Sequence, residues 1–434
     1  MPCRDIPYTD TSSWPAIHDW LAGRNAPKDS VEKPVLDILE AIQRGGDTAL
    51  AEYTSRFDCP GFSPQDVAVT PEEIERGCSQ VSAEDRTIIQ EAADNIRTFH
   101  ENQKQKSWMV TQDNGTILGQ MVRPVERAGL YVPGGQGGET PLISSLLMNA
   151  IPAQVAGVPE IAVISPPRKD GSLNPSILAA ASILGITSIF RAGSAWAIAA
   201  LAYGTESVPK VDVIAGPGNI FVTTAKRLLV GHVGIDMIAG PSEIAILADS
   251  SANPEWLAAD LLSQAEHDPL ASSLLISADK NILCQTKKAL ARQLKELPRK
   301  KIAGACLADW SACILVPDMD TGLELVNLVA PEHFELCVDD PWSMIGKVKN
   351  AGAVFLGHHT PEPVGDYFAG PNHVLPTLST ARFSSALSVE TFCKKTSIIA
   401  ASDAYIQEHG KKIARLARLE QLEAHARSME QRMR

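Results

Sequence analysis

From Gln120 the chain alternates short strand-like runs with helical ones, and this alternation decides its fold class. "RAGLYVPGG", "EIAVISPP", "SIFRAG" and "KVDVIAGPGN" read as strands, separated by helices through "SLLMNAIPAQVAG", near "PSILAAASILG" and in "AWAIAALAYG". Strands joined by crossover helices form βαβ units, which build a parallel sheet. The pattern then restarts. "IDMIAGPSEIAILAD", "SSLLISAD", "ACILVP", "FELCV" and "AGAVFL" alternate with helices from Pro254, around "QTKKALARQLKEL" and in "GLELVNLVA". Two α/β bodies follow, one inserted into the other or succeeding it.

Helical segments flank these bodies. Residues 30 to 107 carry apolar side chains at three and four spacings in "PVLDILEAIQRGGDTALAEYTSRF" and "PEEIERGCSQVSAEDRTIIQEAADNIRTFHENQ". The end of the chain, "QEHGKKIARLARLEQLEAHARSMEQRMR", reads as one charged amphipathic helix. Its apolar positions are Leu416, Leu419, Leu422, Ala426 and Met429, and they must dock on this body or on a partner.

At 434 residues and 44% hydrophobic, the chain can bury a sizeable core. Its 51 acidic against 39 basic residues give a formal charge of −12, which argues against nucleic-acid and anionic-membrane binding. The N-terminal "MPCRDIPYTDTSSW" has no apolar h-region, and "ILAAASILGITSIF" is too short and too polar to span a bilayer. A soluble cytoplasmic protein is expected. The eight cysteines are scattered without CxxC spacing, so neither a disulfide framework nor a thiolate zinc site is indicated.

The candidate chemistry lies in turns. In "SQAEHDP", Gln264 and His267 continue the apolar stripe of a helix capped by Asn253 and Pro254, which should end before Pro269. Two donor-capable side chains therefore meet where the chain opens, either as ligands or as groups satisfied under a loop. Ala-Gly-Pro recurs at 215–217, 239–241 and 369–371; each copy is a candidate pocket wall beyond a strand or a plain turn. "YVPGGQGGET" and "IAGPGNIFVTTAK" suit phosphate binding without matching a GxGxxG or Walker pattern. "AGPSE", "SQAEHDP", "APEHFEL", "GDYFAGPNH" and "LEQLEAH" offer Gln264, His267, Asp366 and His425 as nitrogen and oxygen donors. Such donors suit zinc, manganese or cobalt, although spacing alone does not select these four. In "APEHFEL" the adjacent Glu332 and His333 should point apart, as two separate proton-transfer groups or as a rim acid beside a capping histidine.

Together "GLYVPGG", "LLMNAIPAQVAGV", "AIAALAYGTESVPKVDVIAGPGNIFVTTAKR", "IDMIAGPSE", "DLLSQAEHDP", "APEHFEL", "VFLGHHTPEPVGDYFAGPNHVLPT" and "LEAHA" closely resemble the L-histidinol dehydrogenase family, in the same order over nearly the whole chain. The resemblance implies an α/β fold of two incomplete Rossmann-like parallel-sheet domains with helical N- and C-terminal extensions. The implied division is an N-terminal extension (1–29), a first α/β domain (30–128 plus 237–383), a second Rossmann-like domain (129–236) and a helical C-terminal segment (384–434). It implies oxidation of L-histidinol to L-histidine in two NAD-dependent steps through a bound aldehyde. By motif, Gln264, His267, Asp366 and His425 match zinc ligands that also touch substrate, Ser242 and Glu420 match further substrate contacts, and Tyr131 and Asn219 match NAD contacts. Glu332 and His333 match the acid–base pair, His333 also touching substrate.

Glu420 and His425, five apart, stand roughly 140° apart on a regular helix, so they reach one ligand only from its flank or if the helix is distorted. The resemblance implies that this segment crosses to the other subunit of a homodimer and completes the site there. Two departures bear on the cofactor. Trp196 stands where the family's "GGAQAIAAL" has glutamine, and indole cannot reproduce an amide's hydrogen bonds, though it could stack on the cofactor. "GGQGGETPLISS" is also longer and richer in glycine than the family loop. A paralogous zinc and NAD dehydrogenase of another small polar alcohol, such as a sulfopropanediol, is the alternative.

Overall fold

Strands that are apolar at nearly every position must be covered on both faces, and the fold is arranged to do this. The computed structural model describes residues 3–24, 29–135, 138 and 140–433. In chain order, β1 (Arg4–Pro7) stands near the N-terminus, and β2 (Trp108–Thr111) and β3 (Ile117–Pro124) follow the helical region. Next, β4 (Arg127–Tyr131), β5 (Glu160–Ser165), β6 (Ile189–Arg191), β7 (Val213–Ala215) and β8 (Gly234–Ile235) form a parallel sheet ordered β6-β5-β4-β7-β8. The second parallel sheet comprises β9 (Glu243–Ala248), β10 (Ser272–Ser277), β11 (Ala312–Leu315), β12 (His333–Cys337) and β13 (Ala353–Leu356). With β1 added at its edge, its order is β1-β11-β10-β9-β12-β13. Counted from its own first strand, leaving β1 aside, each sheet runs 3-2-1-4-5, the Rossmann order without a sixth strand. The two incomplete Rossmann-like sheets expected from the sequence are present.

Side-chain alternation covers both faces of the six-stranded sheet. Ile244 and Ile246 join Leu257 and Leu261 of the helix Pro254–Ala265, while Ala245 and Leu247 join Leu323 and Val326 of the helix Met319–Val329. The helices Asp29–Phe57 and Ala83–Glu101 were expected to belong with residues 237–383. Their cores lie elsewhere: Val35, Leu39 and Ile42 pack with Ile164, Trp196 and Ile214, and Ile89 and Ile96 pack with Leu130 and Leu146, all around the five-stranded sheet. Amphipathic periodicity shows that a helix needs a partner but does not say which sheet supplies it.

The C-terminal segment also differs from its reading. It is not wholly helical: β14 (Cys393–Ala400) pairs antiparallel with β3 over eight residues, and β2 completes a three-stranded sheet. The expected single terminal helix is two, Asp403–Leu419 and Glu423–Glu430, with Gln421 left-handed at φ 61° between them. Arg418 holds the second helix back against the first through Glu423 at 2.9 and 3.1 Å and Glu430 at 2.6 and 3.0 Å. Among the described residues no helix is long and apolar enough to cross a membrane. The lengthened glycine-rich loop lies partly outside the described residues, at Gln136, Gly137 and Glu139.

Gly216, just beyond β7, has φ +127°, and a Cβ there would stand 2.1 Å from the Tyr131 carbonyl oxygen on β4. Its amide donates to Asp236 at 2.8 Å and its carbonyl accepts from Lys226 at 3.0 Å. Gly216→Ala should therefore destabilise this sheet by about 2 kcal/mol or more, read as a lower thermal midpoint. An unchanged midpoint would contradict this packing.

Candidate active site and metal centre

The titratable side chains gather at the amino edge of the six-stranded sheet, although ligands of open α/β sheets usually sit at the carboxyl edge. Parallel pairing of β12 with β9 sets His333 opposite Ile244, so the first residues of both strands share one rim. Glu243 then serves two side chains with its main chain. Its amide donates to Glu332 Oε2 at 2.9 Å, and its carbonyl lies 2.9 Å from His333 Nδ1. A carbonyl only accepts, so Nδ1 carries the hydrogen and Nε2 holds the lone pair in the neutral ring. The expectation that Glu332 and His333 point apart is overturned. Tied to the same residue, they converge to 3.7 Å. The Glu243 side chain is itself held by a buried ion pair with Arg24, which follows the helix Trp14–Ala22.

Across the rim stands the short helix Glu362–Tyr367. Asp366 Oδ1 lies 3.6 Å from His333 Nε2, and ligand atoms of His333, Glu362 and Asp366 all fall within 4.8 Å of one another. Gln264, buried at the end of its helix, directs its amide nitrogen at the two Glu362 oxygens, 3.3 and 3.2 Å away. Ser263 also donates to Glu362, at 2.7 Å. His267 is exposed just past that helix, near enough for its charge to act on Glu362 and Asp366. Glu362 and His373, which faces Asp366, were missed in the sequence. Their one sequence signal was the helical spacing of four between Glu362 and Asp366. A cavity of about 310 Å³ opens beside Asp366 and His373, with Ala369 and Pro371 of the third Ala-Gly-Pro turn in its wall.

Burial shapes the electrostatics. Burial pushes the Glu332 carboxyl up to about 8, against the pull of His333. Burial would push the His333 imidazole down, but Glu332, Asp366 and Glu362 outweigh it and raise it to about 10. Asp366 is held low by His333 despite its burial. Among the described residues His333 Nε2 is buried without a hydrogen-bond partner, beside the Asp366 and Glu362 carboxylates. Nitrogen and oxygen donors in this arrangement fit a zinc-like divalent ion.

Other expected residues are placed differently. Ser242 is half-buried directly ahead of β9, and its carbonyl accepts from the Ser272 amide. Glu420 and His425 are exposed, and among the described residues their side chains make no hydrogen bond or ion pair with this group. The broken helix removes the 140° objection, since Glu420 ends one segment and His425 lies in the next.

On the five-stranded sheet, Tyr131 ends β4 at the carboxyl edge, and its hydroxyl accepts from the Ser194 amide at 3.2 Å. Asn219 caps the helix Ile220–Leu229, its side chain accepting from Phe221 and Val222 amides. Trp196 turns into the core, stacked on Tyr53 and Phe57 with ring centroids 5.8 and 5.5 Å away. It packs on protein rings, which is why an indole is tolerated there. Gly216 brings backbone against backbone at this edge, and Asp58 Oδ2, against Gly193, is buried without a hydrogen-bond partner among the described residues, so the edge has both the close approach and the spare acceptor that suit a dinucleotide.

In metal-free protein His333 should stay protonated at pH 8 and lose its proton near pH 10, followed by imidazole NMR shifts. Because the folded pKa is raised, the associated stability is complete below about pH 6.5, the ordinary histidine value, and fades as pH rises toward 10. Titration near 6.5 would contradict the carboxylate arrangement.

A family model described as histidinol dehydrogenase matches residues 22–433. The chain is 61% identical over 433 residues to histidinol dehydrogenase of Oleidesulfovibrio alaskensis, covering 100% of both. It is 63% identical over 428 residues to that of Nitratidesulfovibrio vulgaris, covering 99% of this chain and 98% of the other. In structure it is similar to the crystal structure of histidinol dehydrogenase from Elizabethkingia anophelis, with TM-score 0.92, 39% identity, and 99% and 98% of the two chains covered. With its motifs in order, and with Glu332 and His333 together at the sheet rim, the chain belongs to the histidinol dehydrogenase family.

Proposed function

We propose that the chain oxidises L-histidinol to L-histidine in two NAD-dependent steps through a bound aldehyde. The observation that carries this reading is the convergence of Glu332 and His333 on the Glu243 backbone, facing Gln264 and Asp366. Gln264, His267, Asp366 and a partner's copy of His425 would hold one zinc ion, and Tyr131 and Asn219 would contact NAD. Bound there, the ion would supply a Lewis-acid anchor that orients the substrate, and NAD would serve as the hydride acceptor.

The protein's own groups move the protons. His333 takes the hydroxyl proton at Nε2, the atom left free by the Nδ1 bond to Glu243, while the carbinol hydrogen leaves as hydride. Glu332 next takes a proton from water, whose oxygen adds to the aldehyde carbon while His333 Nε2 returns its proton to the aldehyde oxygen, which frees the imidazole for the second oxidation. His333 then removes a hydroxyl proton from the hydrate, and the second hydride leaves with formation of the acid. A cation neutralising Asp366 and Glu362 removes part of the force that holds a proton on His333, which brings the imidazole toward the neutral range needed of a base.

Completion of each site by the partner subunit is supported by two features. Leu416 and Leu419 are each 63% exposed on the terminal helix, and Trp108, Met109, Val110 and Ile399 are exposed on the three-stranded sheet. Apolar surface of this extent marks an association site. Glu420 and His425 also remain outside their own chain's cluster. Ser242 and Glu420 would then add polar contacts to the substrate. The two curated relatives above are both histidinol dehydrogenases, which favours this substrate over a sulfopropanediol.

His333→Asn should lower both oxidations by about 10²- to 10⁴-fold, whereas Glu332→Gln should chiefly slow the aldehyde step. Equal loss of both steps in Glu332→Gln would contradict the division of labour. His425→Asn should lose zinc. Mixed with His333→Asn and allowed to exchange subunits, it should regain activity, because one site of each mixed dimer receives both intact histidines. No recovery despite exchange would rule out completion in trans.

A further inference from the structure

A half-buried carboxylate, with one oxygen closed off and unpartnered among the described residues, stands over the carboxyl edge of the five-stranded sheet. Asp58 follows the helix Asp29–Phe57, its amide donating to the Thr54 carbonyl at 2.9 Å. Its Oδ2 is closed off from solvent and has no hydrogen-bond partner among the described residues. Burial alone accounts for its acidity, pushing it up to about 6. A carboxylate kept so costs free energy unless donors arrive from elsewhere.

Three contacts locate it. A Cβ on Gly193, two residues beyond β6, would lie 2.9 Å from Asp58 Oδ2 and 3.1 Å from Cβ of Pro166, the residue after β5. Tyr131, the last residue of β4, feels the Asp58 charge, which adds to the effect of burial in raising its phenol. Phe57 and Tyr53, just ahead of Asp58, stack on Trp196 and fix the end of the helix on the sheet. Asp58 therefore overlies the ends of the first three strands in a sheet of Rossmann order.

In that order the adenosine ribose of a dinucleotide lies by the second strand, where an acidic side chain accepts the 2′-hydroxyl. Here β5 runs out through Ser165, Pro166 and Pro167, none of which carries a carboxylate. We propose that Asp58, supplied by the N-terminal helix, accepts the adenosine ribose 2′-hydroxyl of NAD and sets the preference for NAD over NADP. This rests on the NAD-dependent reading above. A carboxylate welcomes a hydroxyl donor and repels the 2′-phosphate of NADP. The aromatic stack holds it in place, and Gly193 leaves room for it.

Calorimetric titration of the full-length, zinc-loaded protein and its Asp58→Asn variant with NAD+, 2′-deoxy-NAD+ and NADP+ tests this. The unchanged protein should bind 2′-deoxy-NAD+ about tenfold or more weakly than NAD+, the loss expected for a hydrogen bond to a charged group. In Asp58→Asn that gap should close, and NADP+ should gain on NAD+. Equal binding of NAD+ and 2′-deoxy-NAD+ by the unchanged protein overturns the assignment even if the variant fails to fold. A gap that persists in folded Asp58→Asn also overturns it. If the unchanged protein binds no NAD+, the NAD reading itself fails and the assignment with it.

Discussion

The backbone of one residue, Glu243, holds both Glu332 and His333, and the rest of the candidate site is built outward from it. Its amide orients Glu332 and its carbonyl fixes the His333 tautomer, each at 2.9 Å. Both bonds exist only because β9 and β12 pair in parallel with His333 opposite Ile244. A slip of one residue would turn His333 to the other face of the sheet and unmake both. The buried ion pair from Arg24 fixes the Glu243 side chain, so the N-terminal helix contributes to the site without touching His333 or Glu332. Breaking such a pair leaves an uncompensated buried charge, which makes Arg24 part of the active-site support.

The two parallel sheets divide the work by presenting opposite edges. The six-stranded sheet gathers its titratable side chains at the amino ends of β9 and β12, and the five-stranded sheet gathers Tyr131, Gly216 and Asp58 at the carboxyl ends of its strands, the edges proposed to take metal with substrate and cofactor. The segment between β8 and β9 ties these edges together. Asp236 takes the buried Lys226 ammonium and the Gly216 amide; Thr223 donates to the Ala239 carbonyl at 3.4 Å; the Gly240 amide donates to Thr377 at 2.6 Å. The second Ala-Gly-Pro turn thus lies in the segment that joins the two sheets and is hydrogen-bonded through Ala239 and Gly240.

Legibility in the sequence followed the strength of local pattern. "EIAILA" and "SSLLIS" are buried throughout, and such continuous apolar runs between helices are readable without a structure. β2, β3 and β14 are mostly exposed or half-exposed and carry no clean alternation, and β14 pairs with β3 from Cys393 opposite Pro124 to Ala400 opposite Ile117, so nothing local marks them. The terminal break at Gln421 has neither glycine nor proline to announce it; the Arg418 ion pairs that fold the segment back are tertiary. Gln264, Glu332, His333 and Asp366, which the structure brings together, lie in motifs that stand out in the sequence. Glu362 does not stand out, because its role depends on Ser263 and Gln264 across the rim, and the convergence of Glu332 with His333 depends on a strand ninety residues away.

A histidine raised to about 10 beside carboxylates is a poor base until those carboxylates are engaged, so the account ties base strength to the cation. The most direct measurement is the NADH formed per L-histidinol consumed, on purified protein, with and without a chelator. The account predicts two NADH per substrate, lost with the chelator and restored by zinc. One NADH per substrate with the aldehyde released, or two that survive complete removal of metal, would contradict it.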